Sequence, residues 1–98
     1  MDADYLFATG SYAAVNGSHH PLLMLVSQER KNKITSMVLA EWGPLREAHG
    51  VRRQFRIELT KRVRAKMKQE VGFVWWLPLL MAVAQIIIKI LMERWFNE

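Results

Sequence analysis

The sequence predicts an all-α protein of two or three helices that ends in a single transmembrane helix kinked near Pro78. Residues 71–88 form an uncharged run of eighteen residues, tryptophans lie near its start and beyond its end, and a basic stretch with apolar residues at every fourth position precedes it. The chain has 98 residues and no cysteine. Without the apolar C-terminal third about 70 residues remain, a length that builds only a marginal core by itself. We therefore expect it to rely on a bilayer, on a partner or on copies of itself.

Residues 1–20 are predicted to be an N-terminal loop or docking segment. Gly10-Ser11 and Asn16-Gly17-Ser18 are turn signals. The stretches 5–7 and 12–15 fit either short helical or extended pieces that dock on something else.

The region 21–70 is predicted to be helical and cytoplasmic. Pro21 suits the first position of a helix, and apolar residues then recur three and four apart as far as Trp42. A polar stretch interrupts this pattern, so two shorter helices joined near Asn32 are an alternative. Gly43-Pro44 is expected to end the element.

A second helix is predicted over residues 44–70, weakened near Gly50, and its second half, 51–70, is basic and amphipathic. Its apolar residues recur at intervals of four and share one broad face; they are Phe55, Leu59, Val63 and Met67. The other faces carry eight of the fourteen basic residues of the chain, namely Arg52, Arg53, Arg56, Lys61, Arg62, Arg64, Lys66 and Lys68. We predict that these side chains bind lipid head groups or another anionic partner.

Anionic lipid is the favoured partner of this helix because the predicted membrane segment follows it directly. A solvated or protein-bound face is the first alternative. Nucleic acid is disfavoured, because Phe55 is the only aromatic residue in the basic stretch and the sequence contains no nucleic-acid-binding motif.

Residues 71–94 are predicted to span the membrane, with 95–98 as a short tail. Twelve of the residues in 71–91 are Leu, Ile, Val or Phe, and at about −0.3 to −0.6 kcal/mol each their insertion gains roughly 4–7 kcal/mol. Lys89 lies near one end, where its long side chain can reach the interface. Pro78 lacks the N–H that a continuous helix would use, which predicts the kink.

Aromatic residues are predicted to set the depth of this helix, because tryptophan favours membrane interfaces. Trp95 follows Trp75 by twenty positions, which as a helix corresponds to roughly 30 Å, close to the hydrocarbon thickness of a bilayer. The predicted interface anchors are Trp75, Trp76, Trp95 and Phe96. Two alternatives stay open: a helix that lies in the interface, and a soluble bundle in which these rings are core residues.

Gln85, Lys89 and Glu93 lie four residues apart and form a polar stripe on the same helix. One prediction is that the stripe faces a partner helix, a partner subunit or water within the membrane. The alternative is that Lys89 extends to the membrane interface and pairs there with Glu93. Because the basic residues lie on the N-terminal side, the positive-inside rule predicts a single-pass, tail-anchored membrane protein with a cytoplasmic N-terminus.

The sequence contains no pattern typical of a catalytic or cofactor-binding site. His19, His20 and His49 lack the spacing of metal ligands, and the glycines form no phosphate-binding loop. We therefore expect no enzymatic activity, no metal, no cofactor and no small-molecule substrate.

These features together predict a non-catalytic anchor or assembly component of a larger membrane-associated complex, bound to other protein subunits or to copies of itself. A respiratory complex, a secretion complex and a membrane-containing virus particle all fit this description. One alternative is a membrane-permeabilising oligomer such as a small lysis protein, with the polar stripe lining a pore. Another is a soluble helical oligomer whose basic helix binds nucleic acid.

Overall fold

In a computed structural model, which describes residues 3–70 and 76–96, the chain is all-helical, as predicted. This part of the chain contains five helices and no strand. The helices are α1 (Ala3–Asn16), α2 (Pro21–Met24), α3 (Gln28–Ala48), α4 (Arg52–Gln69) and α5 (Leu77–Trp95).

The N-terminal segment, for which the sequence left several structures open, forms α1 and packs on α3 and α5. Val15 is fully buried in the core. Two polar contacts tie the outer side of α1 to α3: Tyr12 and Ser36 share a hydroxyl–hydroxyl hydrogen bond, and the Asn16 amide donates to Oδ1 of Asn32 at 3.1 Å.

Pro21 begins a helix, as expected, but that helix ends after one turn, before the alternative break near Asn32. The next helix, α3, begins directly after Ser27, whose Oγ accepts a hydrogen bond from the backbone N–H of Arg30 at 3.3 Å. A serine in this N-cap position stabilises a helix by about 1 kcal/mol. Ser27 therefore marks the start of α3, within the polar stretch that interrupts the apolar pattern of the sequence.

α3 continues through Gly43 and Pro44, so the prediction that this pair ends the helix is wrong. Both residues are exposed, whereas their neighbours Trp42 and Leu45 are buried. Proline removes one helical hydrogen bond, but burial of the two flanking side chains holds this stretch in helical form.

The turn between α3 and α4 falls at residues 49–51, around Gly50, where the sequence indicated a weak point. Nη1 of Arg46 donates to the carbonyl oxygens of His49 and Gly50 at 3.4 and 3.5 Å. These bonds satisfy carbonyl groups that have no partner within a helix. α3 and α4 then pack side by side in antiparallel directions.

α5 begins at Leu77, which places Pro78 in its first turn rather than in the middle of a longer helix. The first N–H groups of a helix have no helical partner, so a proline at this position removes no hydrogen bond. Pro78 therefore helps to begin α5, in place of the predicted kink.

The apolar face of α5 is covered by α1, α3 and α4. The buried side chains of this face are Leu80, Met81, Val83, Ala84, Ile87, Ile88, Leu91 and Met92. The predicted transmembrane helix over 71–94 is therefore unsupported, because the residues assigned to hydrocarbon pack into the protein core, while residues 71–75 lie outside the described part. Within 3–70 and 76–96, no helix combines the length and the apolar character needed to cross a membrane.

An aromatic cluster closes the core at the end of the bundle where α5 ends. Phe7 packs against Trp42 and Trp95 with ring centroids 5.4 and 5.3 Å apart, and Phe55 contacts both Trp42, at 4.9 Å, and Phe96, at 5.1 Å. Such pairs add about 0.5–1.5 kcal/mol each beyond their buried area. Trp95 and Phe96, predicted as membrane-interface anchors, thus contact other rings of the protein.

Candidate functional site

The apolar stripe of α4 determines which way its basic residues point. Phe55, Leu59, Val63 and Met67 are all fully buried, on the face that their four-residue spacing predicted. The stripe packs against α3 and α5, so the remaining faces of α4 are directed outward. Of its eight basic side chains, seven are exposed and only Lys66 is half-buried.

Three of these cations have a carboxylate partner. Glu41 of α3 accepts from Lys66 Nζ at 2.9 Å and from Arg62 Nη1 at 3.4 Å. The pKa of Glu41 lies below its ordinary value of 4.5, mainly because Lys66 donates a hydrogen bond to its carboxylate. Burial acts in the opposite direction and raises this pKa, whereas the positive charges of Lys66 and Arg62 lower it further. Lys61 pairs with Glu58 one turn away, at 3.5 Å.

The other five cations of α4 form no ion pair with a carboxylate in the described part of the chain. We call this surface the basic face; it consists of Arg52, Arg53, Arg56, Arg64 and Lys68. All five side chains are exposed. The chain as a whole carries a net charge of +5, so the positive potential of the basic face is not cancelled by an acidic excess elsewhere.

An open groove of about 590 Å³ lies at the N-terminal end of the basic face. Arg52, Arg53 and Arg56 line it together with Val51 and Ile57. Val51 is 60% exposed and Ile57 is 44% exposed. Guanidinium groups bind phosphate oxygens in pairs, so the groove combines phosphate-binding donors with exposed aliphatic surface.

Exposed apolar residues also occur at the opposite end of α4, where α5 begins. Trp76 is 56% exposed, Met24 at the end of α2 is 70% exposed, and Leu25 directly after it is 72% exposed. Leu25 and Trp76 border a shared groove of about 280 Å³ that also contains Arg30. Of the predicted interface anchors, Trp76 is thus on the surface, whereas Trp75 lies outside the described residues.

The predicted polar stripe of Gln85, Lys89 and Glu93 is exposed on the outer side of α5. An amphipathic helix carries polar residues on the face opposite its buried side. The four-residue spacing of the stripe therefore needs no partner helix to explain it. The described residues bring together no group of three side chains that could hold a metal ion.

Sequence reasoning missed Glu41, Met24 and Leu25. Glu41 pairs with residues more than twenty positions away, and local periodicity carries no signal for such a contact. Met24 and Leu25 belong to an apolar run that looked like the start of a long helix, and only the break before Ser27 exposes them.

The chain matches no protein-family model, no curated protein sequence and no solved structure, so the arrangement of its own residues is the basis for a functional proposal.

Proposed function

We propose that this protein is a non-catalytic helical module that attaches to the surface of an anionic membrane through the basic face of α4 and serves there as an assembly component. One observation carries the proposal: five cations of a single helix are exposed and have no carboxylate partner within the described residues. Each lysine or arginine near an anionic lipid surface contributes about 1 kcal/mol. Full engagement of the basic face thus contributes about 5 kcal/mol.

Lipid suits this surface better than other anions because apolar side chains accompany the cations. Val51 and Ile57 are exposed beside the arginines, and Trp76 is exposed where α5 starts. Aromatic and aliphatic side chains favour the head-group region, where one end of a side chain is apolar and the other is wet. The eighteen residues of α4 extend over roughly 27 Å, which allows the helix to lie along the membrane.

In this arrangement the protein lies on the membrane rather than across it. The apolar face of α5 packs on α1, α3 and α4, so insertion of α5 would require that whole interface to separate. The basic face is accessible without any such rearrangement.

Flotation with vesicles tests the proposal. The full chain is mixed with vesicles of phosphatidylcholine alone or with phosphatidylserine added, and the bound fraction is measured over a range of lipid concentrations. We expect binding to the anionic vesicles only. Replacing Arg53 and Arg64 by glutamine removes about 2 kcal/mol, a weakening of roughly 30-fold.

Arg94→Gln is the matched control for Arg64→Gln. Both variants remove one positive charge, but Arg94 lies in a groove between α1 and α5. We expect about fivefold weaker binding for Arg64→Gln and little change for Arg94→Gln. Equal binding to neutral and anionic vesicles would refute the proposal, and preferential binding to a short RNA or DNA duplex over anionic vesicles would replace lipid by nucleic acid.

A further inference from the structure

The α4–α5 cleft, a depression of about 320 Å³ between α4 and the start of α5, has two chemically different walls. Lys61 and Arg64 line the α4 side, and Leu77, Pro78 and Met81 line the α5 side. Met81 is 9% exposed and forms the floor. The two helices are fixed relative to each other by their packing in the core, so both walls belong to one rigid unit.

The charged wall can bind an anion. Arg64 forms no ion pair with a carboxylate among the described residues. Lys61 contacts Glu58 at 3.5 Å, but its side chain is 68% exposed, and an ammonium group has three donors, so donors remain for a ligand. The hydroxyl of Thr60, also in the cleft, donates to the Arg56 carbonyl at 2.8 Å and is not a donor for the anion.

The apolar wall restricts which anion fits. A fully hydrated inorganic anion gains nothing from Leu77, Pro78 and Met81, whereas a molecule with hydrocarbon beside its phosphate removes that surface from water. Gln85 at the rim has an exposed amide, which can donate to a phosphate or to an ester carbonyl. The volume is at the low end of the range for small-molecule sites, about 300–1,000 Å³. It therefore suits a head group and the first part of an acyl chain.

We infer that the α4–α5 cleft binds one glycerophospholipid, with the phosphate on Arg64 and Lys61 and the start of an acyl chain against Leu77 and Met81. This inference rests on the proposed function, because it identifies the part of the membrane that one site on the surface engages. The basic face supplies general attraction to anionic lipid, and the cleft adds contact with an individual molecule.

NMR titration of the full chain tests the cleft directly. The probes are dihexanoyl phosphatidic acid below its micelle concentration, glycerol 3-phosphate and inorganic phosphate, and the readouts are the Met81 methyl and the Gln85 side-chain amide. We expect saturable shifts at both groups with the lipid, and no shift at Met81 with glycerol 3-phosphate or with inorganic phosphate. Shifts that are the same for all three probes would show a simple phosphate site and overturn the lipid assignment.

Arg64→Gln and Arg53→Gln separate the cleft from the rest of the basic face. Both remove one arginine from the exposed side of α4, but only Arg64 lines the cleft. We expect the affinity for the short-chain lipid, measured at the Met81 methyl, to fall about fivefold or more in Arg64→Gln, the equivalent of one cationic contact. The same affinity should fall far less in Arg53→Gln, because Arg53 lies outside the cleft. Equal weakening by both variants overturns the inference.

The two proposals fail in different ways. Anionic vesicles that bind while the Met81 methyl never shifts would leave the proposed function in place and eliminate the cleft. Saturable shifts at Met81 without any vesicle binding would support the cleft and remove attachment to membranes.

Discussion

Three consecutive isoleucines of α5 provide the sharpest test of the fold. Ile87 and Ile88 are fully buried in the core, whereas Ile86 is half-buried at its edge. Gln85 and Lys89 on either side are exposed. A helix surrounded by lipid would treat the three isoleucines alike, so an alanine scan over these five positions distinguishes a protein core from a lipid environment.

The expected costs follow from burial. Truncation of a buried isoleucine to alanine costs about 2–5 kcal/mol, which is a large part of the roughly 5–15 kcal/mol that stabilises a typical domain. At about 4–8 °C per kcal/mol for a chain of this size, Ile87→Ala and Ile88→Ala should lower Tm by at least roughly 8–16 °C. Ile86→Ala should cost about half as much, because part of its side chain remains in water.

Thermal and urea unfolding followed by circular dichroism measure these costs. Gln85→Ala and Lys89→Ala serve as controls and should stay within about 0.5 kcal/mol of the parent. Equal destabilisation at 86, 87 and 88 would contradict the packing of α5 described above, as would full retention of stability in Ile87→Ala.

Three further perturbations test other parts of the structure. A methyl group added at Gly10 would lie 2.9 Å from Cζ2 of Trp95, so Gly10→Ala should destabilise by about 1 kcal/mol despite the better helix propensity of alanine, with a shift in tryptophan fluorescence; a gain in Tm would contradict this contact. Ser27→Ala removes the N-cap of α3 and should cost about 1 kcal/mol in urea unfolding, and no loss would show that the cap is not formed. The pKa of Glu41 lies below 4.5 in the folded protein, so its ion pairs stabilise fully above the unfolded-state pKa and are lost as pH falls through the lower folded-state pKa. Glu41→Gln should accordingly flatten the acid side of the stability profile, and should also tighten binding to anionic vesicles, because Lys66 and Arg62 lose their partner. Glu47→Gln makes the same change in net charge at an exposed position and should do neither; identical behaviour of the two variants would refute the role of the pair.

α4 shows how much local periodicity can predict. Its apolar residues recur every four positions, and the helix can bury them only on one side, so both the buried stripe and the exposed cations follow from the spacing. The predicted helix over 44–70 ends within one residue of the end of α4, but its predicted start is wrong, because α4 begins at Arg52 after the turn around Gly50. The bonds that Arg46 donates to the carbonyl oxygens of His49 and Gly50 help to hold this turn.

α5 shows where local reasoning fails. Apolar side chains leave water for hydrocarbon and for a protein core by the same driving force, so an apolar run of eighteen residues indicates burial without identifying what buries it. The deciding factor is the apolar surface available on α1, α3 and α4, a property of the whole chain. The polar stripe of Gln85, Lys89 and Glu93 was the local sign that this helix packs in a protein, because one exposed polar face is typical of a helix at the surface of a bundle.

The contacts within the aromatic cluster at the end of α5 could not be predicted from the sequence either, because they join residues far apart in the chain. The guanidinium of Arg46 lies 3.9 Å from the ring centre of Phe96, a cation–π contact between residues fifty positions apart in the sequence. Trp95 and Phe96 looked like membrane anchors because aromatic residues suit an interface and a core equally well.

Because the apolar stripe of α4 packs in the protein core, it is not available to insert into a bilayer. Many amphipathic helices bind bilayers by inserting their apolar face, but here Phe55, Leu59, Val63 and Met67 are already buried in protein. The contribution of α4 is therefore mainly electrostatic, with Ile57 as its exposed large apolar side chain. The electrostatic part should weaken as the Debye length falls from about 10 Å at 0.1 M salt to about 3 Å at 1 M. Any binding that survives high salt must come from apolar groups that the fold leaves exposed, of which Leu25 and Trp76 are the most prominent pair at one end of the bundle. The salt dependence of vesicle binding thus measures how the attachment divides between the basic face and these exposed side chains.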